Sequence, residues 1–283
     1  MKLLRVGPPG AERPAVLGPD GTAYDLSGRT RDLDGAFLGE LDPAELAAAV
    51  AGGEFPVLEL AGQRLGAPVP RPGKVVCVGL NYRDHAAEAG AAIPAEPVLF
   101  LKASNTVVGP DDEVLVPRGS SKTDYEVELA LVIGRTARYL ESDAAAAACI
   151  AGYTISNDVT ERAFQLERGG QWDKGKCCET FNPLGPWLVT PDEVGDPQAL
   201  GLRLWVNGEL RQDGSTAEMI FPVLETVRYI SQFMVLEPGD VVTTGTPAGV
   251  TMGRPGTAFL QPGDVLELEI EGLGRQRQVL GKA

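Results

Sequence analysis

The sequence predicts an α+β fold that is mainly β, a mixed β domain over residues 71–283 behind a small N-terminal domain over residues 1–70. Three observations predict it. Strand-like runs are numerous and helices few, so the regular strand–helix alternation of a doubly wound parallel sheet is missing. The stretch GAPVPRPG (Gly66 to Gly73) carries three prolines, which continue neither a helix nor a central strand, and it marks the boundary. Neither G-x-G-x-x-G after a strand nor G-x-x-x-x-G-K-[ST] occurs, so phosphate-cradling nucleotide folds have no support.

The elements follow in order. Short strand-like runs open the chain and reverse at Pro19-Asp20-Gly21. Asp42 is placed to cap a helix that starts at Pro43, runs through alanines to Ala51 and stops at Gly52-Gly53. Beyond the boundary, strands are expected at Lys74–Val78, Val98–Leu101, Tyr125–Ile133, Ala151–Ser156 and Leu202–Arg211, the last folded about an Asn207-Gly208 hairpin signal. Helices are expected at Asn81–Ala89, Ser142–Ile150, for a turn or two after Asp158, and at Pro222–Met234. LEPGDVV from Leu236 and LQPGDVL from Leu260 are two copies of a Pro-Gly turn feeding a strand, too few for a solenoid.

At 283 residues with 43% hydrophobic and 23% charged content, the chain has the composition of a globular protein with a sizeable core. No apolar run is long enough to cross a bilayer, and Met1–Gly10 lacks the apolar segment of a signal peptide. A net charge of −14 argues against a nucleic-acid or anionic-membrane surface, so an anionic substrate needs a local cation to hold it. Cys77, Cys149, Cys177 and Cys178 show no CxxC spacing, which fits reduced thiols in a cytoplasm. The single histidine, His85, excludes every metal site that needs two, and any histidine general base must be this one.

In TDYEVELALVIG (Thr123 to Gly134), Tyr125, Val127, Leu129, Leu131 and Ile133 share one face, while Glu126, Glu128, Ala130 and Val132 share the other. Alternating glutamates are usually the wet side of an antiparallel strand, as Glu267, Glu269 and Glu271 are in DVLELEIEGL. Glu126 and Glu128 differ because their face turns apolar at once, where an unpaired carboxylate is costly. Spacing alone leaves a solvated edge and a functional pair equally open. Asp158, which by itself reads as a helix cap, ends an apolar strand in YTISND. Were the three carboxylates to converge, a divalent cation would relieve their repulsion, and oxygen-only donors select Mg2+, with Mn2+ or Ca2+ as alternatives. His85 and Glu88 lie three apart, so a helix puts them on one face, as a surface pair or as a base with its orienting carboxylate. Lys176 sits in the Gly-rich stretch ERGGQWDKGK, either as a solvated loop lysine or on a lid over a site.

The series GLNYRDHAAE, EPVLFLKAS, DYEVELALVIG, NDVTER, GQWDKGK, VNGEL and TGTPAGV, in this order from about Lys74 to the C-terminus, resembles the fumarylacetoacetate hydrolase family. Within it, the chain looks most like the bacterial group labelled 2,4-diketo-3-deoxy-L-fuconate hydrolase or ureidoglycolate lyase. The resemblance implies a mixed β-roll catalytic domain behind a small N-terminal domain, usually as a homodimer acting on a small anionic oxo acid. It places metal carboxylates on Glu126, Glu128 and Asp158, a His-Glu dyad on His85 and Glu88, and the catalytic lysine on Lys176. Gln165 and Thr246, and less closely Arg162 and Lys102, match positions at the substrate's oxo-acid end. The implied reaction is Mg2+-dependent hydrolysis of the C–C bond of a 2,4-dioxo acid. Ureidoglycolate lyase, oxaloacetate-type decarboxylase and hydroxydienedioate isomerase are alternatives on the same site, and a non-catalytic cation site is the remote one. Two departures stand out: KCCETF (Lys176 to Phe181) where relatives read KSFDTF or KSCDTF, and Leu80 where some acylpyruvate-cleaving relatives carry arginine.

Overall fold

The computed structural model describes residues 1–283. Its centre is a mixed sheet whose main path runs Val57–Leu58, Ala23–Asp25, Arg13–Leu17, Lys2–Val6, Asn182–Val189, Ile150–Asn157, Val127–Ile133, Val241–Thr243, Val75–Gly79 and Val98–Lys102. Most pairs are antiparallel, but Val241–Thr243 runs parallel to Val75–Gly79. A second, five-stranded sheet holds Glu209–Ser215, Gly201–Val206, Val265–Ile270, Gly274–Lys282 and Val114–Val116.

The two-faced reading of the glutamate strand holds residue by residue. Tyr125, Val127, Leu129, Leu131 and Ile133 enter one core cluster with Leu202, Leu204, Leu266 and Leu268 of the second sheet. Ala130 and Val132, from the opposite face, enter a separate cluster with Leu3, Val16, Leu26 and Leu38 of the N-terminal segment. The central strand is therefore dry on both sides, and Leu129 buried to zero exposure makes truncation to alanine worth about 2–5 kcal/mol. The control strand behaves as its alternation requires, with Leu266, Leu268 and Ile270 buried and the glutamates between them partly exposed.

Local chemistry explains the smaller features. Asp42 and Ser142 accept backbone N–H bonds at the starts of Pro43–Ala51 and Asp143–Ala147. Asn207 (φ +51°) and Gly208 (φ +81°) both take left-handed backbone, as a tight hairpin between Gly201–Val206 and Glu209–Ser215 demands. In the two Pro-Gly turns, Asp240 and Asp264 each accept the N–H three residues upstream, from Glu237 at 2.8 Å and Gln261 at 2.7 Å. That shared side-chain lock is the reason for the repeated phrase.

Several expected helices are shorter than their sequence windows. The one over 81–89 is confined to Arg83–Glu88, because the Asn81 amide is committed to tertiary bonds with Phe221 and Thr244. The one over 222–234 ends at Ile230, where Ser231 caps it. One-turn helices at Gly35–Gly39 and Pro191–Val194 carry no periodic pattern long enough to be read in advance. No helix is long and apolar enough to cross a membrane.

Candidate active site

Two adjacent antiparallel strands build the site. Val127 pairs with Asn157 and Glu128 with Ser156, so the start of one strand meets the end of the other. The Asp158 N–H then donates to the Glu126 carbonyl at 2.9 Å, which sets the two side chains opposite each other. Oxygens of Glu126, Glu128 and Asp158 lie within 4.8 Å of one another, and all three residues are buried. Spacing left the pair open between a wet edge and a functional one; burial at 5% and 2% exposure decides against the wet edge.

Cations gather around the cluster. Lys176 Nζ donates to Glu126 Oε2 at 2.8 Å and to Asp158 Oδ2 at 2.7 Å. Lys102 Nζ donates to the other Asp158 oxygen, Oδ1, and to the Val159 carbonyl. Arg162 reaches Asp124 Oδ2 at 2.9 Å through Nε and stands 2.7 Å from Glu126 Oε1 through Nη2. Burial alone would raise the Glu126 carboxyl, yet Lys176 and Arg162 outweigh it and hold the group down at about 2. Burial lowers the Lys176 ammonium, but Asp158 and Glu126 more than restore it, so it stays charged. Glu128 is the outlier. Its Oε2 accepts the Gly245 N–H at 2.9 Å, and burial followed by repulsion from Asp158 and Glu126 pushes it well above the usual carboxylate range.

That imbalance is the fit test for a metal. A fully buried carboxyl with one amide donor, crowded by the carboxyls of Asp158 and Glu126, is a place where added positive charge favours the ionised form. Three carboxylate donors and no sulfur or imidazole suit a hard divalent cation. Glu126, Glu128 and Asp158 are the residues that would hold it.

Across the cleft, His85 Nδ1 lies 3.3 Å from Glu88 Oε2, and Glu88 also accepts the Gly249 N–H at 3.0 Å. Burial raises the Glu88 carboxyl, but the His85 bond and the Gly249 amide bring it below its ordinary value. A neutral ring that gives Nδ1–H to Glu88 presents Nε2 as its basic atom. His85, Glu126, Glu128, Arg162, Gln165, Lys176 and Thr246 line one cleft of about 90 Å³.

Lys102 does not line that cleft: its ammonium, completely buried, supports Asp158. Thr246 lines it, but its hydroxyl donates to the Val127 carbonyl and accepts from Gln212. Gln165 accepts from Arg162 at 3.3 Å. Cys177 and Cys178 are free and half-buried, and burial raises both thiols, Cys178 to about 11, so neither is a thiolate nucleophile at neutral pH. Sequence reasoning missed Asp124. Its carboxylate joins Arg162 to the Thr251 and Met252 amides, and its adjacency to the glutamate pair was the only signal. It also missed the edge-to-face pair Phe100 and Trp172, with centroids 5.5 Å apart, whereas Leu80, singled out in the sequence as a departure, does line the cleft, at φ +54°.

Comparison with known proteins covers the segment that carries these residues. Residues 74–280 match the profile of the fumarylacetoacetate (FAA) hydrolase C-terminal family. A provisionally named hydrolase of Burkholderia multivorans is 50% identical over 99% of this chain and 98% of its own. The solved structure of a fumarylacetoacetate hydrolase from psychrophilic Exiguobacterium antarcticum superimposes with a TM-score of 0.86 at 38% identity, covering 100% of both chains. A maleylpyruvate hydrolase from Sphingobium sp. SYK-6, solved with manganese(II) and pyruvate, superimposes at 0.81 with 27% identity and the same full coverage. A buried three-carboxylate cluster, a neighbouring lysine and a carboxylate-oriented histidine thus stand on a fold and a sequence shared along the whole chain, which belongs to the fumarylacetoacetate hydrolase family of enzymes.

Proposed function

We propose that the protein is a divalent-metal-dependent hydrolase that cleaves the C3–C4 bond of a 2,4-dioxo acid, releasing pyruvate or a close analogue and a carboxylic acid. The observation that carries this reading is one cleft lined by Glu126, Glu128, Lys176 and His85, with Asp158 bonded to Lys176 behind the glutamates and Glu88 bonded to His85 behind the ring. When bound by the three carboxylates, a divalent cation, Mg2+ in our reading, supplies Lewis-acid charge for the substrate's oxygens.

The chain's own residues do the rest. Arg162 and Lys176 supply the positive charge that draws an anionic acid into an otherwise acidic protein. His85, held by Glu88, takes a proton from water, and the resulting hydroxide adds to C4. The C3–C4 bond then breaks, with its electron pair leaving on the three-carbon fragment as an enolate. Lys176 balances that charge, and the protonated His85 returns its proton to C3. Gln165 and Thr246 line the cleft and, in this reading, Gln165 orients the acid through its side chain while Thr246, its hydroxyl bonded to Val127 and Gln212, shapes the wall.

Assay of a panel of 2,4-dioxo acids, ureidoglycolate, oxaloacetate and a hydroxydienedioate, each with and without EDTA, tests the reading. EDTA-sensitive release of pyruvate from 2,4-dioxo acids is expected. Turnover confined to ureidoglycolate, oxaloacetate or the dienedioate would replace it with the lyase, decarboxylase or isomerase assignment. Add-back of Mg2+, Mn2+ and Ca2+ to the stripped enzyme identifies the metal. In this reading the acting unit is a homodimer, as the family resemblance implies, and the free thiols support a reducing, cytoplasmic setting.

A further inference from the structure

Resting on that reading, the acyl side of the substrate can be characterised from the cavity beside the cleft. The cleft holds about 90 Å³, small against the few hundred Å³ of ordinary ligand pockets, so it accommodates the oxo-acid head and little more. Anything attached beyond C4 must go to solvent or into neighbouring space. A larger cavity of about 480 Å³ adjoins it, and Phe100 and Trp172 are walls of both. Lys176 Nζ lies 4.9 Å from the Phe100 ring centre, so the second cavity begins one aromatic ring away from the ammonium that faces the reacting carbons. Trp172 is held in this position by its neighbour's lack of a side chain: a Cβ on Gly79 would lie 2.6 Å from the indole.

The chemistry of that cavity is one-sided. Val76, Val98, Leu99, Leu101 and Met234 line it with the two aromatic rings, Gly170 and Gln171 add a polar rim, and it has no lysine, arginine or histidine. Its charged residue is Asp173, an anion. The cations of the site, Arg162 and Lys176, are on the cleft and already face Asp124, Glu126 and Asp158. A second carboxylate on the substrate would be desolvated there without a partner and beside a like charge, a costly arrangement. A polyhydroxylated tail would find only Gln171 and Asp173 as side-chain partners and would lose water against the rest of the wall. An alkyl or aryl group loses nothing and gains burial.

We infer that the cavity bounded by Phe100, Trp172, Val98, Leu99, Leu101 and Met234 is the acyl subsite, and that it selects 2,4-dioxo acids with a neutral, apolar acyl group against those ending in a second carboxylate.

The test measures kcat/KM of the Mg2+-loaded enzyme on 2,4-dioxopentanoate, 2,4-dioxooctanoate, 4-phenyl-2,4-dioxobutanoate and 2,4-dioxooctanedioate. Each added methylene is expected to raise kcat/KM by about three- to fourfold, from the transfer of one CH2 out of water. The terminal carboxylate of the octanedioate is expected to reverse that gain by tenfold or more. In Asp173→Lys, the ratio of octanedioate to octanoate activity is expected to rise at least tenfold, and in Asp173→Asn by less. Chain-length independence, which places the tail in solvent, overturns the inference while leaving the hydrolase reading intact, as does preference for the octanedioate in the unaltered enzyme. Cleavage of none of the four acids overturns both.

Discussion

Replacing Lys102 by methionine asks whether Asp158 needs both of its ammonium partners. The side chain is completely buried, and its removal leaves an oxygen of a buried carboxylate uncompensated. Breaking such a pair costs about 3–5 kcal/mol, so calorimetry should show a clear fall in melting temperature for metal-free K102M, with part of the loss recovered when Mg2+ is added. A resemblance at this position pointed to the substrate, while the buried ammonium is bonded to Asp158 and the Val159 carbonyl, a burial that a sequence does not reveal. His85 gives the complementary prediction. His85→Gln should lower turnover by about 10²–10⁴-fold while titration calorimetry finds metal affinity unchanged, because its ring contacts Glu88 and not the carboxylate cluster. An equal loss of metal binding would move His85 from proton transfer to metal retention.

At the scale of elements, the glutamate strand was legible because its downstream half is apolar on both faces, a pattern that only a strand between two cores satisfies. What could not be read was the register that brings Asp158 across from Glu126, since pairing depends on a strand more than twenty residues away. The same holds for the clip that fastens the first segment. Glu12 accepts from Arg64 at 2.9 Å and Arg5 at 3.3 Å, Arg5 is also bonded to Asp32, and Arg64 to Asp112. Burial raises the Glu12 carboxyl, but its backbone bond and the two arginines prevail and bring it below its ordinary value. A depressed folded-state pKa means stabilisation that is present above the unfolded value, about 4.3, and is lost as pH falls through the folded one. Glu12→Gln should therefore unfold at lower urea than the parent at pH 7, and the two midpoints should converge below about pH 4. A gap that persists in acid would show that the loss lies in packing and not in charge.

For the whole molecule, Val98–Lys102 ends the main sheet with one edge unpaired, and Leu101 on it is 44% exposed. An apolar open edge invites a partner, and because the same strand walls the acyl cavity, a partner paired there must leave Val98–Leu101 open to substrate; light scattering should return twice the 29.8 kDa chain mass, and a monomeric mass would leave that edge to the acyl group alone. The prolines at 68, 70 and 72 read as a break, yet the main sheet and the second core cluster both run across it, joining Leu3 and Val16 to Val75 and Val241. Lys2 and Leu3 find their partners at Val189 and Leu188. This pairing sets a timetable for synthesis. The first strand to leave the ribosome must wait, apolar and without its inner neighbour, until more than half the polypeptide has been translated. A nascent chain stalled near residue 140 should thus be cut by protease throughout its opening segment, whereas one stalled well past Val189 should resist.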